Sequence, residues 1–110
     1  LAFICEQLCS AREHFALEQL DQLTIAYEPI WAIGSGLSAD QHQITEVHLA
    51  IRALHVELFG SAGQEIPILY GCSVSPENAK EIFSCPEVAG ALVGGASLDP
   101  KVFHQLWEQL

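Results

Sequence analysis

A chain of 110 residues, half of them apolar and only 16% charged, has the length of one packed domain and is too apolar for disorder. Four Lys and Arg against 14 Asp and Glu give a formal net charge of −10, the opposite of the basic footprint a nucleic-acid binder presents. No apolar run approaches the roughly 20 residues that cross a bilayer, so neither nucleic acid nor a membrane is an expected partner.

Residues 1–23 carry the weakest pattern. Leu1 to Cys9 is apolar but lacks the basic segment that precedes a signal-peptide core, and is not read as one. Leu8, Phe15, Leu20 and Leu23 among Glu, Gln and Arg predict an amphipathic helix within residues 6–22. Thr24-Ile25-Ala26-Tyr27 is short, β-branched and apolar, and reads as a buried strand. Glu28 follows at once, and Pro29 ends the strand because it has no donor for a sheet ladder. Trp31, Ala32 and Ile33 then make an apolar loop loosened by Gly34 and Gly36, as suits a flap that excludes water from a small ligand.

Asp40, with Gln43 three residues on, forms a capping-box pattern, and Ile44, Val47, Ile51, Leu54 and Leu58 follow at helical spacing until Gly60. His48 and His55 share a face near that stripe; without a third ligand they read as core-flanking or surface residues rather than a metal site. Glu65 to Tyr70 is the next predicted strand, and Gly71 to Ser73 its exit loop. Ser75 and Pro76 open a helix with Ala79, Ile82 and Phe83 inward, stopped by Pro86. Val88 to Val93 is a small-residue strand ending in Gly94-Gly95; Asp99 and Pro100 open a last helix with Val102, Phe103, Leu106, Trp107 and Leu110 as its apolar positions. Strands alternating with helices over short links predict parallel βαβ units, hence an α/β fold. Cys5, Cys9, Cys72 and Cys85 form no Cys-x-x-Cys pair and read as reduced thiols of a cytosolic protein.

A carboxylate at the carboxyl tip of an apolar strand gains nothing for packing, and in α/β proteins that tip is where ligands bind. A desolvating flap over Glu28 would raise its pKa and make it an effective general base. An acidic chain is awkward for a phosphorylated substrate unless backbone N–H groups hold the anion, and glycine- and serine-rich strand exits can offer them.

Tyr27-Glu28-Pro29-Ile30-Trp31-Ala32-Ile33-Gly34-Ser35-Gly36 resembles the catalytic strand and lid of the triosephosphate isomerase family, and Tyr70-Gly71-Cys72-Ser73-Val74 and Leu92-Val93-Gly94-Gly95-Ala96-Ser97-Leu98 agree with it in order and spacing. The match covers roughly residues 18–110, with residues 1–23 helix-rich and poorly matched. The resemblance implies an incomplete (β/α)8 barrel, since the whole fold needs about 250 residues and this length holds about three strand–helix units. That length and the start at Leu1 read as the C-terminal part of a longer protein or a shortened gene product. The resemblance further implies a glycolytic and gluconeogenic isomerase of triose phosphates, cytoplasmic, without cofactor or metal. Glu28 would be the base and Gly34, Ser73, Gly94 and Gly95 the phosphate grip. The lid would run Pro29, Ile30, Trp31, Ala32, Ile33, Gly34, Ser35, Gly36, Leu37, Ser38, Ala39, and close through Tyr70 and Ser73 onto Ala39 and Gly36.

Two departures stand out: Cys72 replaces the second glycine after Tyr70, and Leu37 replaces the usual lysine after the second lid glycine. The family's lysine and electrophilic histidine lie in the first half of the barrel, as does most of its homodimer interface, and none of the five histidines here has a matching context. The expectation is an inactive isolated chain; a phosphate-gripping half-barrel that catalyses nothing is the alternative.

Overall fold

The computed structural model describes residues 2–30, 39–71 and 73–109, without the side chain of Leu17. Three strands, β1 (Ile25–Tyr27), β2 (Ile68–Gly71) and β3 (Gly90–Leu92), form one open parallel sheet in the order β1-β2-β3. Four helices accompany them: α1 (Ala2–Arg12), α2 (Gln41–Phe59), α3 (Pro76–Ser84) and α4 (Pro100–Trp107). The α/β architecture with parallel strands is as the alternating pattern requires.

Local chemistry explains most helix starts. Asp40 Oδ1 accepts the Gln43 N–H at 2.8 Å while Gln43 Oε1 accepts the Asp40 N–H at 3.0 Å, the reciprocal capping box read from the sequence. Pro76 and Pro100 open α3 and α4, where the missing N–H has no helical acceptor to lose. The N-terminal segment differs from expectation. In place of a helix within 6–22, α1 starts at Ala2 and ends at Arg12, and a separate 3-10 turn spans Leu17–Gln22. Arg12 donates from Nε to the Leu58 carbonyl (3.1 Å) and from Nη1 to the Phe15 carbonyl (3.3 Å), and its guanidinium lies over the Phe59 ring. These contacts tie the break between the two segments to the end of α2.

The sheet is covered on one face. Ile25 and Tyr27 pair with Ile68 and Tyr70, and this row meets the helices; Ile68 and Tyr70 are fully buried. Tyr70 packs with Ile44, Val74, Ala79, Ile82 and Leu106, and Ile68 with Leu8 and Ile51. The alternate row carries Ala26 and Leu92, both exposed. The strand read as buried at Thr24–Tyr27 is less so than expected: Ile25 and Tyr27 are half-buried and Ala26 exposed, because β1, like β3, has one neighbour, whereas the central β2 is mostly buried. Of the apolar stripe predicted for the last helix, Leu106 is buried, Val102 half-buried and Phe103 and Trp107 exposed, while Leu110 lies outside the described residues.

The end of the sheet opposite the strand exits is clamped by Arg52. Its Nη1 donates to the carbonyls of Gly63 and Ile66 at 2.7 Å each, and its Nε to Glu87 Oε2 at 2.7 Å. One guanidinium thus joins α2, the 3-10 turn Gly60–Glu65, the entry to β2 and the approach to β3.

Candidate functional site

Parallel strands in register bring their carboxyl ends to one edge. Tyr27 pairs with Tyr70 and Gly71 with Leu92, so Glu28, Gly71 and Leu92 stand at one level, the outer two roughly 10 Å apart at normal strand spacing. Ser73 and Gly94-Gly95 continue from that level. The structure therefore brings Glu28, Ser73, Gly94 and Gly95 to a single edge. Gly34 lies outside the described residues, as do the lid positions 31–38 and Cys72.

Glu28 is exposed, and its side chain rests on the backbone of Gly71. A Cβ at position 71 would lie 2.8 Å from Glu28 Cγ and 3.0 Å from its Oε1. Only glycine at that site lets the carboxylate lie across the end of β2. Sequence reasoning gave Gly71 to an anion-binding turn and missed this contact, for which the sequence carries no local signal.

Ser73 is exposed, and its carbonyl accepts from Asn78 Nδ2 at 2.7 Å while Asn78 Oδ1 accepts the Ser75 N–H at 2.8 Å. One amide side chain on the first turn of α3 thus staples the loop after β2. Asn78 was also missed; its signal is the polar side chain three residues after Ser75, the capping-box spacing with Asn in place of Glu or Gln. Gly94 and Gly95 are exposed at the start of the 3-10 turn Gly95–Leu98, and a Cβ on either would meet nothing within 4 Å among the described residues.

The described flanks of the lid are held differently. Pro29 is buried and Ile30 is 69% exposed. Ala39 is buried, and its N–H donates to the Tyr70 hydroxyl at 3.4 Å, the pairing expected between strand exit and lid end.

Behind the edge, Tyr27, His48 and Tyr70 form an aromatic group with ring centroids 6.0–6.4 Å apart. His48 and His55 are fully buried, where the sequence reading expected flanking or surface positions. Burial holds the His48 imidazole below its ordinary pKa, against the opposing pull of the Glu87 carbonyl that faces its Nδ1 at 3.2 Å. Burial, and then the charge of Arg52, lower that of His55 to about 4. Among the described residues no group of three or more His, Cys, Asp or Glu is arranged to hold a metal ion. An apolar groove of about 620 Å³ runs along the free side of β1, lined by Phe3, Leu8, Ile25, Glu28 and Ile30 among others. Ser73, Gly94 and Gly95 do not line it, so it is the uncovered flank of the sheet and not the anion site.

The Triosephosphate isomerase family model matches residues 1–110. The triosephosphate isomerase of Caulobacter vibrioides is 58% identical over 87 residues, 79% of this chain and 34% of the relative. That of Methylococcus capsulatus is 44% identical over 103 residues, 94% of this chain and 41% of the relative. The crystal structure of triosephosphate isomerase from Bartonella henselae superposes with a TM-score of 0.73 at 39% identity, covering 82% of this chain and 35% of that one. The chain thus spans about a third to two fifths of the length of these relatives. Among the described residues no helix is long and apolar enough to cross a membrane. A parallel sheet with its acid and its glycine turns on one edge, matched along the whole chain by one family's pattern, makes this chain a member of the triosephosphate isomerase family.

Proposed function

We propose that this chain supplies the general base and the phosphate grip of a triose-phosphate isomerase, interconverting dihydroxyacetone phosphate and glyceraldehyde 3-phosphate. The observation that carries the reading is the Glu28 carboxylate lying across Gly71 on the edge that also holds Ser73, Gly94 and Gly95. From there Glu28 would take a proton from the carbon next to the substrate carbonyl and return it to the neighbouring carbon. Backbone N–H groups of Gly34, Ser73, Gly94 and Gly95 would hold the phosphate without requiring a lysine. Trp31, Ala32 and Ile33 would shield the reacting carbons from water. Work on glycolytic and gluconeogenic trioses in the cytoplasm, and a homodimer formed through parts of the fold outside these strands, belong to the same proposal.

The base alone is insufficient. The proton transfer builds negative charge on the substrate oxygens, and losing the groups that stabilise such charge typically costs about two to three orders of magnitude in rate. The resemblance assigns the lysine and histidine that do this to strands other than these three. The purified 110-residue chain, freed of host enzyme, is expected to show no turnover in a coupled isomerase assay; robust turnover would refute that division of labour. The site itself is tested with phosphoglycolate. Because a Cβ at position 94 meets nothing within 4 Å among the described residues, Gly94→Val should fill ligand space and weaken binding about tenfold or more. Glu28→Ala should weaken it too if the site embraces the reacting carbons. Tolerance of Glu28→Ala alone would favour the non-catalytic phosphate-binding alternative, and indifference to both changes would sink the site.

A further inference from the structure

Asn78 does more than the start of α3 requires. That helix end is capped when a side chain on its first turn accepts the N–H of Ser75, and Asn78 Oδ1 accepts it at 2.8 Å. An acceptor is enough for that purpose, so Asp, Glu or Gln would serve. An amide brings a donor as well, and Asn78 Nδ2 gives it to the Ser73 carbonyl at 2.7 Å. Exchanging the two amide atoms would set oxygen against carbonyl and nitrogen against N–H, so the two contacts fix one orientation. The bonds bracket Val74, one holding the peptide before it and the other the peptide after it, while its own side chain is buried. The run Ser73–Ser75 is thereby held by one side chain, with Ser73 exposed at the edge that Gly94 and Gly95 share.

A grip made of backbone N–H groups works best when those groups are already in place. Ordering the backbone of one loop residue at the moment of binding weakens affinity about tenfold. We propose that Asn78 is a positioning residue for the phosphate grip: its Nδ2–H, by holding the Ser73 carbonyl, presets the loop at Ser73 for the phosphate of the triose substrate. The inference rests on the isomerase reading above and adds to it the side chain through which one of its anion-binding positions is fixed. Asn78 itself need not touch the ligand.

The test is the phosphoglycolate affinity of the 110-residue chain by calorimetry, with the amide resonances of Ser73, Gly94 and Gly95 followed in isotope-labelled protein. Asn78→Asp keeps the acceptor for Ser75, and its charge suits the start of a helix, so the urea midpoint should not fall. It removes the donor and sets a carboxylate against the Ser73 carbonyl. Binding should weaken about tenfold, with the ligand-induced shift of Ser73 lost and those of Gly94 and Gly95 kept. Asn78→Ala removes the donor without adding charge and should weaken binding as much. The affinity ratio between Asn78→Asp and the native chain should persist at high salt, where a charge effect would be screened. Native affinity in Asn78→Asp, or a loss that vanishes with salt, would leave Asn78 a helix cap and overturn the proposal. A chain that does not bind phosphoglycolate, or binds it indifferently to Gly94→Val, sinks the site reading and this inference with it. Dependence on Gly94 without dependence on Asn78 sinks this inference alone.

Discussion

Gly63→Ala is expected to lower the stability of the fold by about 4 kcal/mol or more, the largest effect of a methyl added at any described glycine. A Cβ at position 63 would sit 2.2 Å from the His55 carbonyl oxygen, 2.4 Å from its carbon and 2.8 Å from the Val56 nitrogen. All three are backbone atoms inside α2, so no side chain can swing away to relieve the overlap. The turn Gly60–Glu65 must move instead, and that movement pulls the Gly63 and Ile66 carbonyls off Arg52. Overpacking of this kind costs about 1–3 kcal/mol. Each hydrogen bond to a charged group adds about 1.5–3 kcal/mol when broken. The sum, about 4 kcal/mol or more, approaches the roughly 5–15 kcal/mol that stabilises a whole domain. Gly60→Ala separates clash from backbone strain. Gly60 has φ of 70° and ψ of −151°, a region essentially confined to glycine, and no neighbour within 4 Å among the described residues, so alanine there meets backbone strain without a clash and should cost about 1–3 kcal/mol. Urea unfolding of the two variants measures the contrast; equal midpoints would show that the close approach of turn and helix is wrong.

What the sequence made legible was whatever short-range chemistry decides. The caps at Asp40, Pro76 and Pro100, and an acid placed immediately after an apolar strand, need only a few neighbours along the chain to be read. The inner face of α2 was read about one position out of place. Its buried residues are Ile44, His48, Ile51, His55 and Phe59, a helical stripe in which two members are imidazoles. Counting only aliphatic residues selected Val47, Leu54 and Leu58 instead, which are half-buried on the flank. The break after α1 was invisible because no Gly or Pro marks it; Arg12, Leu58, Phe15 and Phe59 meet there only in three dimensions. The same holds for the Arg52 clamp and for Glu28 lying on Gly71. The strand edge of the site could be read, while the contact that orients its acid could not.

Acid should weaken the fold through His55, and the sign of the effect follows from its burial. The imidazole is fully buried, and among the described residues neither ring nitrogen has a hydrogen-bond partner, so a charge there has nothing to compensate lost hydration. Arg52, one turn earlier on α2, opposes that charge further. With a pKa of about 4 folded against 6.5 unfolded, the unfolded chain binds the proton more tightly. The contribution is complete above pH 6.5 and is lost as pH falls from there towards 4, about 3 kcal/mol at 1.36 kcal/mol per unit. His48 shifts in the same direction and adds to the slope. The exposed His14, His42 and His104 lack this burial. His55→Leu removes the titrating ring without orphaning any hydrogen-bond partner among the described residues, so it should leave stability near neutral pH unchanged or raised. Between pH 6.5 and 4 it should flatten the fall in urea midpoint relative to the native sequence. Parallel curves for the two proteins would mean that His55 carries its proton as readily folded as unfolded, and that the imidazole is not buried as the structure has it.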